Sequence, residues 1–310
     1  MKPQDSKNPT HSSSQTQERE SADESLESSL ARLETSATQE EDTAFNHEQL
    51  KGIIAKLEQD IADGSWIKAD YAKTDLKMMP ALVEQANRKY PEMKLKFATT
   101  PHDFALSMKE AVESGVEASR YIVNIKERGI HFAVIDQRTI DDKTSLVFFE
   151  PTTFNNMNPA MLALRTQMAI GSYQMPECHF SMVEMDIQRS SSECGMFSLA
   201  LAKKLHIESE KLTKMHKDNI DGMLCKKDTA LSSDKLDLYL PPSFYKHTQG
   251  RKRLKEYVES NPEAENAKVN KKGETLRERF DKNLVTTEEK TASVSSHRKR
   301  VTEYKSVLKL

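Results

Sequence analysis

The sequence predicts an α+β fold, a central mixed sheet with helices packed against it. Three observations carry that expectation. Helical patterns come first along the chain, strand-like runs follow in close succession, and then a helix, a strand and a helix alternate. The strand-like runs 120–125, 130–136 and 144–150 are separated only by Gly129 and by the polar run 137–143, so they read as a meander of neighbouring strands. The last strand-to-helix junction carries Cys194 in the run Gln188-Arg-Ser-Ser-Ser-Glu-Cys-Gly195.

Each element has its own signal. Residues 1–45 are rich in Ser, Thr, Gln and Glu and poor in large apolar side chains; they cannot offset their ordering entropy and are expected to be a disordered leader. Asn46, with Gln49 three residues on, is a helix cap. Leu50, Ile53, Ile54, Leu57 and Ile61 recur at helical spacing until Gly64. Pro80 is expected to start a second helix that runs to about Lys89. A short strand over 94–99 and a helix over 103–114, stopped by Gly115, precede the meander. Pro159 opens a helix to about Ile170, 179–187 reads as a strand, and the Cys194 helix follows. Beyond residue 206 the pattern is mostly helical and polar.

Composition narrows the class. With 310 residues the chain has room for one large domain or two small ones. A hydrophobic fraction of 36% beside a charged fraction of 30% means that part of it does not pack. The net charge of -2 hides an asymmetry: the first 46 residues are mainly acidic, whereas the last seventy carry an excess of Lys and Arg. Cys178, Cys194 and Cys225 are odd in number and lack metal-ligand spacing. Neither a metal site nor a disulfide framework is expected, and a reducing compartment fits. No run approaches the roughly 18 apolar residues of a membrane span, and the N-terminus lacks the apolar core of a secretory signal.

The candidate chemistry centres on Cys194. A thiol at a helix N-terminus faces the positive end of the macrodipole and unpaired backbone N–H groups, which favour the nucleophilic thiolate. Its polar lead-in argues against a core position. His131 opens one strand of the meander and Glu150 closes the next, so neighbouring strands can set a base beside the carboxylate that orients it. Gln188, six residues before Cys194, can offer its amide to a developing oxyanion together with the Cys194 backbone N–H. These four residues define acyl transfer through a cysteine. The acceptor stays open: water would make a protease or deubiquitinase, an amine or hydroxyl a transferase. A non-catalytic binder is a third class. Cys178 and Cys225 carry no comparable context.

Lys246, His247, Gln249, Arg251, Lys252, Arg253 and Lys255 fall close together, followed by Lys271, Lys272, Arg277 and Arg279. Interspersed Glu256, Glu259, Glu274 and Glu278 argue against a nucleic-acid stripe; a compact polyanion site suits the local density better.

The order His131, Glu150, Gln188, Cys194 is similar to that of SUMO- and adenovirus-type cysteine proteases. More specifically, the chain resembles the YopJ family of bacterial type III secreted effectors. The matching stretches are Asp63-Gly-Ser-Trp66, Met79-Pro-Ala-Leu82, Lys89-Tyr-Pro-Glu92, Gly129-Ile-His-Phe132, Phe149-Glu-Pro151, Asp186-Ile-Gln-Arg-Ser-Ser-Ser-Glu-Cys-Gly195 and Phe244-Tyr-Lys-His-Thr-Gln-Gly250. The resemblance implies a SUMO-protease-like cysteine protease core over 91–225, used for acetyl transfer. It implies a mainly helical regulatory domain built from the flanking segments 46–90 and 226–310, with 1–45 as the secretion leader. Cys194 would take acetyl from acetyl-CoA, His131 would act as base, and the acceptors would be Ser, Thr or Lys of host kinases. Those kinases include MAP kinase kinases and kinases of the NF-κB pathway. Inositol hexakisphosphate would be the activator, with Lys246, His247, Arg251, Arg253 and Lys272 as candidate ligands. Arg189, Lys203 and Lys204 are candidates for the CoA phosphates. Delivery by the type III secretion apparatus would place the protein in the host cytoplasm.

Overall fold

A computed structural model describes residues 45–226, 228–286 and 291–309. The expected leader lies outside them, apart from Phe45. Helix α1 (His47–Asp63) begins at a full capping box between Asn46 and Gln49 and ends at Gly64, whose φ of 84° is a left-handed cap that suits glycine. Helix α2 spans Ala72–Lys89, so Pro80 lies inside it rather than at its start. Pro80 cannot donate to the preceding turn. The helix continues because Ala72, Asp75, Met78, Met79, Leu82, Val83 and Ala86 bury one face on both sides of the proline.

Then come β1 (Leu95–Ala98), α3 (Pro101–Glu113), β2 (Ala118–Asn124), β3 (Phe132–Ile140), β4 (Lys143–Glu150), α4 (Met157–Ser172), β5 (Cys178–Glu184) and α5 (Cys194–Ile207). The chain continues with α6 (Thr213–Ile220), β6 (Ala230–Leu231), α7 (Ser233–Leu236), α8 (Arg251–Ser260), α9 (Leu276–Asn283), the hairpin β7 (Leu284–Thr286) and β8 (Thr291–Ser293), and α10 (Ser295–Val307). The polar run expected to separate two strands is instead a tight hairpin. Ile140 pairs with Lys143, and Asp141 and Asp142 turn with φ of 50° and 62°. Two-residue hairpins need this left-handed pair, which Asp tolerates.

The sheet runs β1-β2-β3-β4-β5-β6 and is mixed: β2, β3 and β4 are antiparallel neighbours, and the outer pairs are parallel. Alternate residues supply two cores. Ile122, Val134, Val147, Phe149 and Val183 pack with α1, α2 and α5 on one face, whereas Tyr121, Val123, Ala133, Ile135, Leu146 and Phe148 pack with α3 and α4 on the other. Each fully buried Leu or Phe contributes about 1.5–3 kcal/mol. The outcome is a helix–sheet–helix sandwich. Among the described residues no helix is long and apolar enough to cross a membrane.

Topology selects one end of the sheet. Val134 pairs with Phe149, so the start of β3 lies beside the end of β4; β5 runs parallel to β4, with Glu184 beside Glu150. Beyond β5, the N–H groups of Ile187 and Gln188 donate to the Pro151 carbonyl at 2.9 and 3.1 Å, which carries the chain past Glu150 toward α5.

Candidate active site

Three chain segments meet at that end. His131 immediately precedes β3, Glu150 closes β4, and Cys194 is the first residue of α5. His131 Nε2 lies 2.9 Å from Glu150 Oε2. The carboxylate is fully buried, and its other oxygen accepts from the Thr152 N–H and hydroxyl at 2.9 and 2.7 Å. With Glu150 acting only as acceptor, Nε2 carries the proton, and Nδ1 is left for Cys194. Burial alone would depress the imidazole. Hydrogen bonds to Cys194 and Glu150, with the Glu150 charge, instead push it up to about 10. The ring is therefore built to hold a proton next to sulfur.

The polar lead-in does not keep the cysteine at the surface. Cys194 is 2% exposed and Glu193 1%. The thiol donates to the Ile130 carbonyl oxygen at 3.2 Å when it carries its proton. Glu193 can be buried because His297, Ser296 and Gln249 all meet its carboxylate. Gly195 allows a close approach: a Cβ there would lie 3.2 Å from Asp75 Cβ and from Met79 Cε on α2.

His131 and Cys194 line a cleft of about 690 Å³ with Thr152, Asn156, Met157, Gln188, Arg189 and Ser190–Ser192. Gln188 is buried, and its amide donates to the Ser190 carbonyl at 2.5 Å, leaving one N–H for a ligand. Arg189 reaches the cleft, and both arms of its guanidinium hold the Asp186 carboxylate, Nη2 at 3.0 Å.

Lys203 and Lys204, expected beside Arg189, are elsewhere. They lie a few turns along α5 and line a separate cavity of about 320 Å³ with Lys89, Lys246, Lys271 and Lys299. Glu303 bridges Lys203, at 2.7 Å, and Lys299. Burial would raise that carboxyl, but the two ammonium groups hold it at about 2. Burial and the charges of Lys299, Lys204 and Arg279 push the Lys246 ammonium down to about 7. The lysines thus gather there against their own repulsion.

Of the five expected activator ligands, Lys246 alone lines this cavity. Arg253 must be reassigned: it is buried, with two arms on Asp237 at 2.8 and 2.5 Å and Nε on the Met185 carbonyl at 2.9 Å. His247 is buried with Nδ1 on the Ser295 hydroxyl at 2.8 Å, and burial holds its imidazole well below the ordinary value. Arg251 pairs with Asp281 at 3.0 Å and covers the Phe280 ring. Lys272 is exposed beside the left-handed Gly273. Lys89, Lys271 and Lys299 were not among the expected ligands. Lys271 stood in the basic run, but nothing local marks Lys89 or Lys299.

Comparison with known proteins gives a consistent picture. The family described as YopJ serine/threonine acetyltransferase matches residues 50–306. The serine/threonine-protein acetyltransferase YopJ of Yersinia pestis is 56% identical over 271 residues, covering 87% of this chain and 94% of that protein. YopJ of Yersinia pseudotuberculosis matches to the same extent. Among solved structures, a deletion variant of AvrA with IP6 and CoA superposes with a TM-score of 0.82 at 55% identity, covering 86% of this chain and all (100%) of that one. HopZ1a in complex with IP6 shares the fold, with a TM-score of 0.70 at 20% identity over 87% of this chain and 94% of that one.

Proposed function

The chain belongs to the YopJ serine/threonine acetyltransferase family, and from that premise we propose that Cys194 carries acetyl from acetyl-CoA to side chains of protein substrates. The observation that supports this most is that His131, oriented by the buried Glu150, lines an open cleft together with Cys194, and that the proton affinity of its imidazole is raised beside the sulfur.

His131 takes the Cys194 proton through Nδ1 while Glu150 fixes the ring and stabilises the imidazolium. The thiolate attacks the thioester carbonyl carbon. The free Gln188 N–H and the Cys194 backbone N–H face the developing oxyanion. The sulfur of the CoA leaving group receives the proton from His131, and acetyl remains on Cys194. His131, neutral again, accepts the proton of an acceptor hydroxyl or amine. That oxygen or nitrogen attacks the acetyl carbonyl, the Cys194–carbonyl bond breaks, and the proton returns to sulfur. Among the described residues lining the cleft, Arg189 is the one that would meet a CoA phosphate.

The lysine cavity suits inositol hexakisphosphate as activator, because its phosphates would offset the burial and the repulsion that together depress Lys246. Lys89 comes from α2, Lys203 and Lys204 from α5, and Lys299 from α10. An anion there joins the flanking segments 46–90 and 226–310 to the helix that begins at Cys194. In the same reading, 1–45 is the leader for type III secretion. The substrates are Ser, Thr or Lys of host kinases, namely MAP kinase kinases and NF-κB pathway kinases in the host cytoplasm.

Intact-mass spectrometry with acetyl-CoA, with and without inositol hexakisphosphate and beside Cys194→Ala, tests the reading. Acetyl gain is expected only with Cys194 and the activator together. No gain under any condition would overturn it and turn attention to cleavage of ubiquitin-like conjugates.

A further inference from the structure

The segment 187–195, which carries Gln188 and Cys194, makes its internal hydrogen bonds through the side chains of Gln188, Arg189, Ser190 and Cys194. It is held from outside, by residues far away in sequence. Glu193 is the centre of that hold. Its Oε1 lies 2.5 Å from the Ser296 hydroxyl and 2.8 Å from His297 Nε2, both in the first turn of α10. Its Oε2 accepts from Gln249 Nε2. Gln249 in turn accepts, through Oε1, from the N–H groups of Arg189 at 2.6 Å and Ser190 at 3.1 Å, and its own N–H donates to the Ile187 carbonyl at 2.9 Å. One glutamine therefore grips the loop at both ends. Arg300, which is locked on Asp75 by two bonds of 2.8 Å, reaches the Ser192 carbonyl at 3.4 Å.

A carboxylate beside a nucleophilic sulfur opposes the thiolate, and burying it is costly unless its acceptors are filled. Its presence next to Cys194 needs a role that offsets both effects. We propose that Glu193 is a positioning residue: with Gln249 it clasps the nucleophile loop to the first turn of α10, and so sets where Cys194 and Gln188 stand in the cleft. The proposal also supplies a route from the anion site, since Lys299 and Glu303 lie on the same α10 whose Ser296 and His297 hold Glu193. In that respect it rests on the activator reading above.

The chain's one tryptophan is placed to report on the clasp. Trp66 packs against His297 with ring centroids 4.9 Å apart. The experiment compares the full-length wild type, Glu193→Gln, Glu193→Asp and Gln249→Ala. It measures kcat and KM for acetyl-CoA, the iodoacetamide alkylation rate of Cys194 by peptide mapping, and Trp66 emission during titration with inositol hexakisphosphate. Glu193→Gln should bind the inositol phosphate within about threefold of wild type and keep KM within about threefold, while kcat falls at least about tenfold. Its Cys194 alkylation should stop responding to the activator, and Glu193→Asp should recover part of the response. If Glu193→Gln fails to fold, Gln249→Ala decides, because it removes the bridge while Ser296 and His297 still hold the Glu193 carboxylate. Wild-type stimulation and alkylation in the folded variants would overturn the clasp. Alkylation needs no acetyl-CoA. A wild type that never gains acetyl would therefore sink the transferase reading alone, while the alkylation comparison still judged Glu193.

Discussion

Two hydrogen-bonded triads sit on the same sheet and behave in opposite ways. At one end, the buried Glu150 orients His131, which lines a cleft with Cys194. Between β3, β4 and α6, Asp136 Oδ2 meets His216 Nε2 at 2.9 Å, and His216 Nδ1 meets the Ser145 hydroxyl at 2.8 Å. On paper the second set is an acid, a base and a nucleophile in working order. It is sealed: all three residues have no exposed surface, and Ser145 also accepts from Asn219 at 2.8 Å. The charge state of the histidine differs as well. Burial, aided by Arg138 and Arg120, lowers the His216 imidazole despite Asp136. Arg120 lies 2.8 Å from Asp136 and shares its charge, whereas Glu150 has no competing cation among its bonded partners. Access and an undivided carboxylate charge, rather than the triad of residue types, separate catalysis from packing.

The largest expected effect breaks the comparison if it fails. His131→Ala should reduce acetyl transfer by about 10²–10⁴-fold, the usual span for loss of a general base, at temperatures where the variant is still folded. His216→Gln, which keeps a donor and an acceptor, should leave the rate within a few-fold and lower the midpoint instead. Steady-state rates and calorimetric melts on both variants check this. A His216 variant as inactive as His131→Ala would put the second triad into the chemistry.

The first triad was legible because each member announces itself locally: a cysteine where polar residues turn into a helix, a histidine opening one strand, a glutamate before proline closing the next. The caps at Asn46 and Gly64 were legible for the same reason. What the sequence hid was tertiary. Asp141-Asp142 lacks the Asn or Gly that usually marks a two-residue hairpin. The helix through Pro80 is held by burial of one face, which propensity does not weigh. Arg253 looked like an anion ligand because its neighbours are basic, but its carboxylate partner, Asp237, lies in a different element. The lysine cavity draws on residues 89 to 299, which only the packing of α2, α5 and α10 brings together. Glu193 read as part of a polar lead-in, and its three partners lie 56 to 104 residues downstream.

A finer distinction lies in pH. The His131 imidazole is raised from 6.5 to about 10 in the native state. Its contribution to stability is therefore complete below pH 6.5 and is lost as pH rises toward about 10. The His216 imidazole is lowered, so the unfolded chain takes up a proton that the native ring resists, and stability falls as pH drops through 6.5. Denaturant titrations across this range should show Glu150→Gln flattening the alkaline slope and His216→Gln flattening the acid slope. If both variants flattened the same window, the two histidines would not differ in charge state and the contrast would collapse.

The smallest effect concerns the serine that mimics a nucleophile. Ser145→Ala removes the hydroxyl that His216 Nδ1 and Asn219 Nδ2 both use. Asn219 keeps the carbonyl oxygens of Leu146 and His179 at 3.3 and 3.1 Å, so only the imidazole nitrogen is left without a partner. An unsatisfied buried acceptor costs about 1–3 kcal/mol, and the midpoint in denaturant should shift by that amount with an unchanged slope. The acetyl-transfer rate should stay within about twofold, because the cleft is lined by residues that touch neither Ser145 nor His216. A rate loss larger than the stability loss would mean that the sealed triad steers the open one through β3 and β4, the two strands they share.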